Sequence, residues 1–403
     1  MTARRRRRAA PAASTTALLA VSLVVSLALG EMLLRLLLPA SDTYLALTPN
    51  RTVVFDPQFQ PGVRGPARYE VNSMGARGRE WAADRDTEYR ILAMGGSTTE
   101  SLYNDQPRTW PALLESKLGT ISDGRTVWVG NIGKSGLSSR HHVLQARHLM
   151  EVYDPDAVLL LVGVNDFAAR LQRGSQYDPR YMENGRNLAR LEDRAFEVVP
   201  GRLPGPRWED DPWFKRTTTW RLLRLVRNRI SGADKSQDRR GSATRHWREL
   251  RAAGERASQL PPLTEALDEY GRNLTEIASL VGRHGARLIL MTQPVLWRPG
   301  LTPAEEALLW MGGEGDFRSG PGALYYRPEA LARGMDAYNA RLLEVCAVTA
   351  SECLDLAAEI PKTTRYFWDD CHFTDLGQER IADLVAAFHR RLAPQAAEQP
   401  GST

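Results

Sequence analysis

Cysteine is scarce in this chain: Cys346, Cys353 and Cys371 are the only three in 403 residues. An odd number permits at most one intrachain disulfide, and the spacing fits no zinc site. Cys346 and Cys353 lie close enough in sequence to clip a helix to the next strand, with free buried thiols as the equal alternative. No cysteine lies near the N-terminal apolar stretch, which excludes a lipoprotein anchor there. Internal repeats are absent, and so is the basic face interleaved with stacking aromatics that marks a nucleic-acid module. Charge of one sign is not in general excess either. The net charge is +5, concentrated in the five arginines Arg4 to Arg8 and in residues 207–256, which hold 14 Lys and Arg against 7 Asp and Glu. Such patches suit a solvated surface or contact with anionic lipid headgroups.

What the chain does have is enough apolar material for a sizeable core, 42% hydrophobic residues against 25% charged. At roughly 100–200 residues per domain, the length allows one large domain or two modest ones. Arg4 to Arg8 precede an uncharged stretch from Ala9 to Gly30, strongest from Ala17 to Leu29. A basic segment before an apolar run is a secretory signal or an uncleaved anchor. The apolar character continues through Leu36, Leu37 and Leu38 to Pro39, and Glu31 and Arg35, four apart, can pair on one helix face. The span reaches the ~20 residues that cross a bilayer, so the anchor is the favoured reading. Ala28-Leu29-Gly30 keeps cleavage as the alternative. The arginines should stay cytoplasmic and leave everything after Ser41 on the extracytoplasmic side.

The expected organisation is a basic tail (1–14), a transmembrane signal-anchor (15–38), a juxtamembrane connector (39–87), a main α/β domain (88–395) and a disordered tail (396–403). Within 88–395, strands at Arg90–Met94, Thr126–Ile132, Ala157–Val162, Ala286–Met291 and Cys353–Leu356 alternate with helical segments, the last being Phe373–Leu392. Ala157–Val162 is apolar throughout, as in a strand buried on both faces. The alternation predicts a three-layer α/β/α fold with a five-stranded parallel sheet. Ligands in such sheets sit at the carboxyl ends of the strands. A long insertion at about 167–262 carries a basic amphipathic segment: Arg221, Arg224 and Arg227 on one face, Leu222, Leu223, Val226 and Ile230 on another. It reads as a surface helix on its own domain or, alternatively, as a lid or membrane-contacting helix.

Four segments could carry chemistry. Gly95-Gly96-Ser97-Thr98-Thr99 follows the first strand and can expose the Ser97 hydroxyl at the sheet edge. Asn131 to Gly136 follows the second strand, and Gly163-Val164-Asn165-Asp166 the third. The N–H of Ser97, the N–H of Gly136 and the amide of Asn165 could form an oxyanion hole. In Asp369-Asp370-Cys371-His372, the aspartate three residues before the histidine can accept from its Nδ1 and leave Nε2 facing a serine. Each turn alone is more often structural. Asp370 and Asp375 are competitors for the acid, and Gly133 for the glycine, though Gly136 fits the spacing better. Asp166 reads as a turn anchor. His141, His142 and His148 share one helix and read as a solvent-facing surface rather than a metal site.

Taken together, the segments resemble the SGNH hydrolases, the GDSL-like esterase family named for Ser, Gly, Asn and His in four blocks. Ser97, Gly136, Asn165 and His372 match these, with Asp369 at the family's Asp-x-x-His position. Trp110-Pro111, Thr292-Gln293-Pro294 and Tyr338-Asn339 look like its membrane-anchored branch. The resemblance covers about residues 88–392 and implies a flavodoxin-like sheet and a serine esterase acting through an acyl-enzyme. No metal or organic cofactor is implied. The implied substrate is a small acyl ester, acetyl in the first instance, on a polysaccharide. An O-acyltransferase and a non-catalytic glycan-binding protein on the same fold are the alternatives. Gly96 stands where the family often has Asp before the serine, and Thr99 breaks the Gly-x-Ser-x-Gly elbow of α/β-hydrolases. With His372 as base, activity should fall below roughly pH 6–6.5.

Overall fold

The computed structural model describes residues 12–38, 40–41, 44–198, 203–204, 213–223, 226, 239–349 and 351–392. The chain divides into two compact units, Met1–Asp42 with Val198–Asp234, and Thr43–Glu197 with Lys235–Thr403.

In the first unit, helix α1 (Ala12–Leu37) exposes large apolar side chains from Leu18 to Leu37 on all its faces. Such a helix has no core to face and suits a lipid environment. Its stretch Thr15–Leu37, 23 residues, is long and apolar enough to cross a membrane, at about 34 Å by the helical rise. Glu31 and Arg35 pair at 2.9 Å, as their spacing predicts. Glu31 also accepts from the backbone N–H groups of Thr218 at 2.7 Å and Thr219 at 3.0 Å, where helical residues 218–223 begin. A carboxylate there satisfies amide donors that have no partner within the helix. Of the expected basic amphipathic helix, Arg221, Leu222, Leu223 and Val226 are helical, while Arg224, Arg227 and Ile230 lie outside the described residues, as do Arg4 to Arg8 and the tail 396–403.

The second unit is built on five parallel strands: β1 (Glu88–Gly95), β2 (Thr126–Asn131), β3 (Ala157–Leu161), β4 (Arg287–Met291) and β5 (Glu352–Leu354). Their order across the sheet is β5-β4-β3-β1-β2. This is the flavodoxin-like arrangement, and the chain reverses direction between β1 and β3, where such sheets bind ligands. Every residue of β3 is buried, because helices cover both faces. Helix α3 (Trp110–Leu118), which crosses from β1 to β2, packs with the C-terminal helix α10 (Asp375–Leu392). The other crossovers run the opposite way along the sheet: α4 (Ser139–His148), α8 (Thr264–His284) and α9 (Pro328–Thr349), with α8 touching both neighbours. Right-handed crossovers put helices that run in opposite directions along a sheet on opposite faces. Short helix α2 (Ser97–Glu100) and helices α5 (Val164–Arg173), α6 (Gly185–Ala195) and α7 (Ser242–Ala253) complete the elements used below. Cys346 of α9 and Cys353 of β5 form a disulfide that clips helix to strand, and Cys371 is a buried free thiol.

Two stretches differ from the sequence reading. Residues 51–71, where no period is evident, form an antiparallel pair, Arg51–Phe55 with Ala67–Val71, whose Phe55 and Tyr69 enter the main core. The basic stretch 207–256 is not all solvated surface or lipid contact: Arg251 of α7 is 3% exposed and donates to the carbonyls of Met311 and Tyr326.

The Thr292-Gln293-Pro294 and Tyr338-Asn339 segments meet after β4. Asn339 is buried, accepts from the Gln293 N–H at 2.8 Å and donates to its carbonyl at 3.1 Å. Asn339→Ala would orphan both groups at about 1–3 kcal/mol each. The expected outcome is a lower urea midpoint with an unchanged slope, and an unchanged midpoint would contradict this role.

Candidate active site

The residues singled out in the four segments converge at the carboxyl ends of β1, β2 and β3. Gly95 and Gly96 have no room for a side chain: a Cβ on Gly95 would overlap Thr99, and one on Gly96 would overlap the Asn165 amide. Gly96 thus leaves room for the Asn165 amide beside Ser97. Ser97 opens α2, and its hydroxyl lies 2.7 Å from His372 Nε2. On the far side of the ring, Nδ1 lies 2.9 and 2.8 Å from the two oxygens of Asp369. Asp369 is fully buried and also accepts from the N–H groups of Cys371 at 3.0 Å and His372 at 2.8 Å. The indole N–H of Trp310 adds a further bond at 2.7 Å. Trp368 stacks on the His372 ring at 4.9 Å and 17°.

Around Ser97 stand the expected amide donors. Gly136 has φ +78°, a left-handed conformation that glycine adopts at little cost, and a Cβ there would meet Arg194 Nη2 at 2.7 Å. Among the described residues, neither the Ser97 N–H nor the Gly136 N–H has an acceptor. Asn165 Nδ2 donates one hydrogen to the Leu137 carbonyl at 2.8 Å, which leaves its other hydrogen for the site. Gly133, the competing glycine, packs instead against the backbone of Thr99 and Glu100, and its N–H bonds Asn131 Oδ1 at 2.9 Å.

The competing acids are engaged elsewhere. Asp370 accepts from Trp297 Nε1 at 2.8 Å and from the N–H groups of Trp310 and Met311 at 2.8 and 3.1 Å. Asp375 holds Arg64 at 2.8 Å and Asn104 at 3.1 Å. Asp166 ties its turn to the start of α4 through Ser139, and burial pushes its carboxyl up to about 6. The histidine cluster corrects its reading. His141 and His142 are buried, not solvent-facing, because α4 is enclosed on that side by the rest of the unit. Asp369, Cys371 and His372 place possible ligand atoms within 4.8 Å of one another. Both Asp369 oxygens already accept N–H bonds and burial pushes the Cys371 thiol up to about 11, so this donor set does not resemble a tetrahedral zinc site.

Trp310 and Trp368 had no recognisable signal in the sequence as partners of the Asp–His pair. Trp310 arrives from residues 296–323, an excursion between β4 and α9 that has no period. Arg248 of α7 also reaches this region, donating to the Trp368 carbonyl at 2.9 Å. With Thr244 and Trp247 of α7, the insertion lines a cavity of about 440 Å³ that opens beside Ser97 and His372.

Electrostatics favour charge separation along the pair. Burial alone would raise the Asp369 carboxyl, but the charge and hydrogen bonds of His372 and the Trp310 indole hold it below the usual carboxylate value. Burial alone would lower the His372 imidazole, but Asp369 carries it well above the ordinary histidine value. Such a raised group stabilises the fold fully below its unfolded pKa of about 6.5, and the contribution is lost as pH rises through its folded value. The expected NMR titration of His372 has a midpoint above about 6.5 that drops in Asp369→Asn. A wild-type midpoint below about 6 would contradict the assigned electrostatics.

The sequence matches the GDSL-like Lipase/Acylhydrolase family over residues 93–380, more than half of the chain. No curated protein matches it significantly. Among solved structures, it is similar to an α/β hydrolase enzyme from the metagenome of Lake Arreo, Spain (16% identity, TM-score 0.39, covering 75% of this chain and 96% of that one). A psychrotrophic esterase from Pseudoalteromonas sp. is similar at 13% identity and TM-score 0.38, covering 75% and 97%. An acetylxylan esterase from Geobacillus stearothermophilus is similar at 14% identity and TM-score 0.38, covering 74% and 93%. With the family matched across the segments that hold Ser97, Gly136, Asn165, Asp369 and His372, the chain belongs to the GDSL-like lipase/acylhydrolase family and is a carboxylic ester hydrolase.

Proposed function

We propose that Ser97, His372 and Asp369 act as a catalytic triad that removes a small acyl group, acetyl in the first instance, from a carbohydrate ester. The observation that supports this most is the unbroken hydrogen-bond chain from Ser97 Oγ through the His372 ring to Asp369. His372 Nε2 takes the hydroxyl proton as Oγ attacks the ester carbonyl. The tetrahedral oxyanion accepts from the N–H groups of Ser97 and Gly136 and from the second amide hydrogen of Asn165. As the intermediate collapses, His372 gives the proton to the leaving alkoxide and the acyl group stays on Ser97. Water, deprotonated by His372, then releases the acid and restores the serine. Asp369 holds the ring tautomer and stabilises the imidazolium. No step calls for a metal or an organic cofactor. The carbohydrate reading is supported by the aromatic residues Tyr103, Trp247, Trp310 and Trp368 in the cavity lining, a residue type that suits sugar rings.

The N-terminal helix is read as a retained anchor with the hydrolase unit on the extracytoplasmic side. A 23-residue helical span long and apolar enough to cross a membrane supports this, as does a disulfide of the kind that oxidising compartments preserve. Membrane fractions should then contain the chain with its N-terminus intact. A soluble mature form beginning near Glu31 would overturn the anchor.

On short p-nitrophenyl esters, Ser97→Ala and His372→Ala should each lose on the order of 10⁴–10⁶ in kcat, and Asn165→Ala roughly 10²–10³. Retention of most activity by Ser97→Ala would refute the mechanism. Because Asp369 raises His372, the acid limb of kcat/KM should lie above about pH 6.5, higher than an unperturbed histidine would place it. A limb near pH 5 would mean that another group acts as base.

A further inference from the structure

The cavity beside Ser97 is one-sided in charge. Arg173, Arg190, Arg194 and Arg318 line it, and among the described residues no carboxylate does. They come from separate places: the end of α5, two turns of α6, and the excursion before α9. Elsewhere in this unit some buried or half-buried arginines meet acids, as in Arg140 with Glu269 and Arg287 with Glu352, and others meet several carbonyls, as Arg251 and Arg248 do. Among the described residues, none of the four cavity arginines is in an ion pair. Arg173 lies over the Tyr181 ring at 4.5 Å and Arg318 lies 5.5 Å from the Trp247 ring. Arg194 donates to the Gly136 carbonyl at 3.4 Å, which puts its guanidinium at the turn that offers an N–H to the ester oxygen. Burial and the charges of Arg318 and Arg173 hold Arg194 below the usual arginine value. Like charges gathered without a counterion raise the free energy of the empty site, and an anion among them lowers it.

His141 adds an independent observation. It is 4% exposed, yet it lines the same cavity. Its Nδ1 accepts the Ser138 N–H at 3.1 Å, so the neutral ring carries its proton on Nε2. Burial and the nearby Arg194 push its pKa well below the ordinary value, which keeps it neutral. That Nε2 has no hydrogen-bond partner among the described residues. A buried donor left without an acceptor is costly, and an anionic oxygen at this place would satisfy it.

We propose that the substrate is an O-acylated acidic carbohydrate, whose carboxylate or phosphate sits among Arg194, Arg190, Arg173, Arg318 and His141 while the ester meets Ser97. This rests on the reading of Ser97 as nucleophile. The cationic wall selects an anionic chain. The same charges raise the encounter rate, an effect that salt screens over a Debye length of about 8 Å at physiological ionic strength.

The test uses the full chain in uncharged detergent. Acetate release is measured from acetylated oligogalacturonate, an acetylated glycerol-phosphate oligomer and acetylated xylo-oligosaccharide, at low and high salt. At least one anionic substrate should exceed the neutral one in kcat/KM by about 10-fold or more at low salt, with the ratio shrinking in high salt. The substrate that leads identifies carboxylate or phosphate as the group recognised. In Arg190→Gln/Arg318→Gln the anionic-to-neutral ratio should fall by about 10-fold. Calorimetry on Ser97→Ala with unacetylated oligogalacturonate and glycerol-phosphate oligomer reads binding without turnover, and should detect one of them in wild-type arginine background but not in the double variant. Equal ratios in all proteins, with no binding to Ser97→Ala, would overturn the acidic substrate while leaving Ser97 as nucleophile. Binding with turnover that survives Ser97→Ala would do the reverse. Fatty-acid release from phosphatidylglycerol vesicles faster than acetate release from every carbohydrate would overturn the acidic glycan in favour of a lipid.

Discussion

The carboxylate of Asp369 has no exposure to water, and burying an ion costs several kcal/mol unless its lone pairs are filled. Four N–H groups fill them: two from the backbone of its own turn, one from the His372 ring and one from the Trp310 indole. That requirement fixes much of its surroundings. Trp310 must come in from the excursion before α9, and its own backbone N–H is held by neighbouring Asp370. Burial and the Asp369 charge together raise Asp370, so the two adjacent acids differ in proton affinity although both are enclosed. Arg251 and Arg248 of α7 bind carbonyls of Met311 and Trp368 on either side of the pair. The insertion is therefore part of the support for the acid, not an ornament on the sheet.

The opposite half of the site depends on absent side chains. Gly95 and Gly96 let β1 run into α2 against Thr99 and Asn165, and Trp110 Nε1 then braces the turn through the Thr98 carbonyl at 3.3 Å. Thr98 Oγ1 reaches Gln293 at 3.3 Å, and Gln293 is held by Asn339. Three segments far apart in sequence thus fix the orientation of one hydroxyl. Their meeting point is where the sheet order reverses, so the amides of β1, β2 and β3 turns point to one crevice.

Much of this was legible beforehand, for identifiable reasons. β3 is a continuous apolar run because both faces are covered, and its expected bounds differ from the observed ones by a single residue, Val162. Ser97, Gly136, Asn165, Asp369 and His372 come together because each sits at a fixed offset from a strand end or from the last helix, and such offsets survive in sequence. The pair Arg51–Phe55 and Ala67–Val71 was not legible, since five residues interrupted by Arg, Thr and Glu carry too short an alternation. Nor were Trp310 and the four cavity arginines, whose positions depend on how the 167–262 and 296–323 excursions fold over the sheet. His141 and His142 misled because a helix rich in His and Arg reads as polar, whereas α4 is enclosed and its two buried rings bond Ser138 and Gln145 through Nδ1 alone.

The central claim is that Ser97 is the atom that leaves solution chemistry and forms a bond to the acyl group. Its most direct measurement is peptide mass spectrometry after reaction with a phosphonofluoridate, which phosphonylates an activated serine and stops turnover. The account predicts one adduct, on the peptide that carries Ser97, formed in step with loss of esterase activity and strongly slowed in His372→Ala. Activity lost through an adduct on another residue, or full turnover while Ser97 stays phosphonylated, would contradict it.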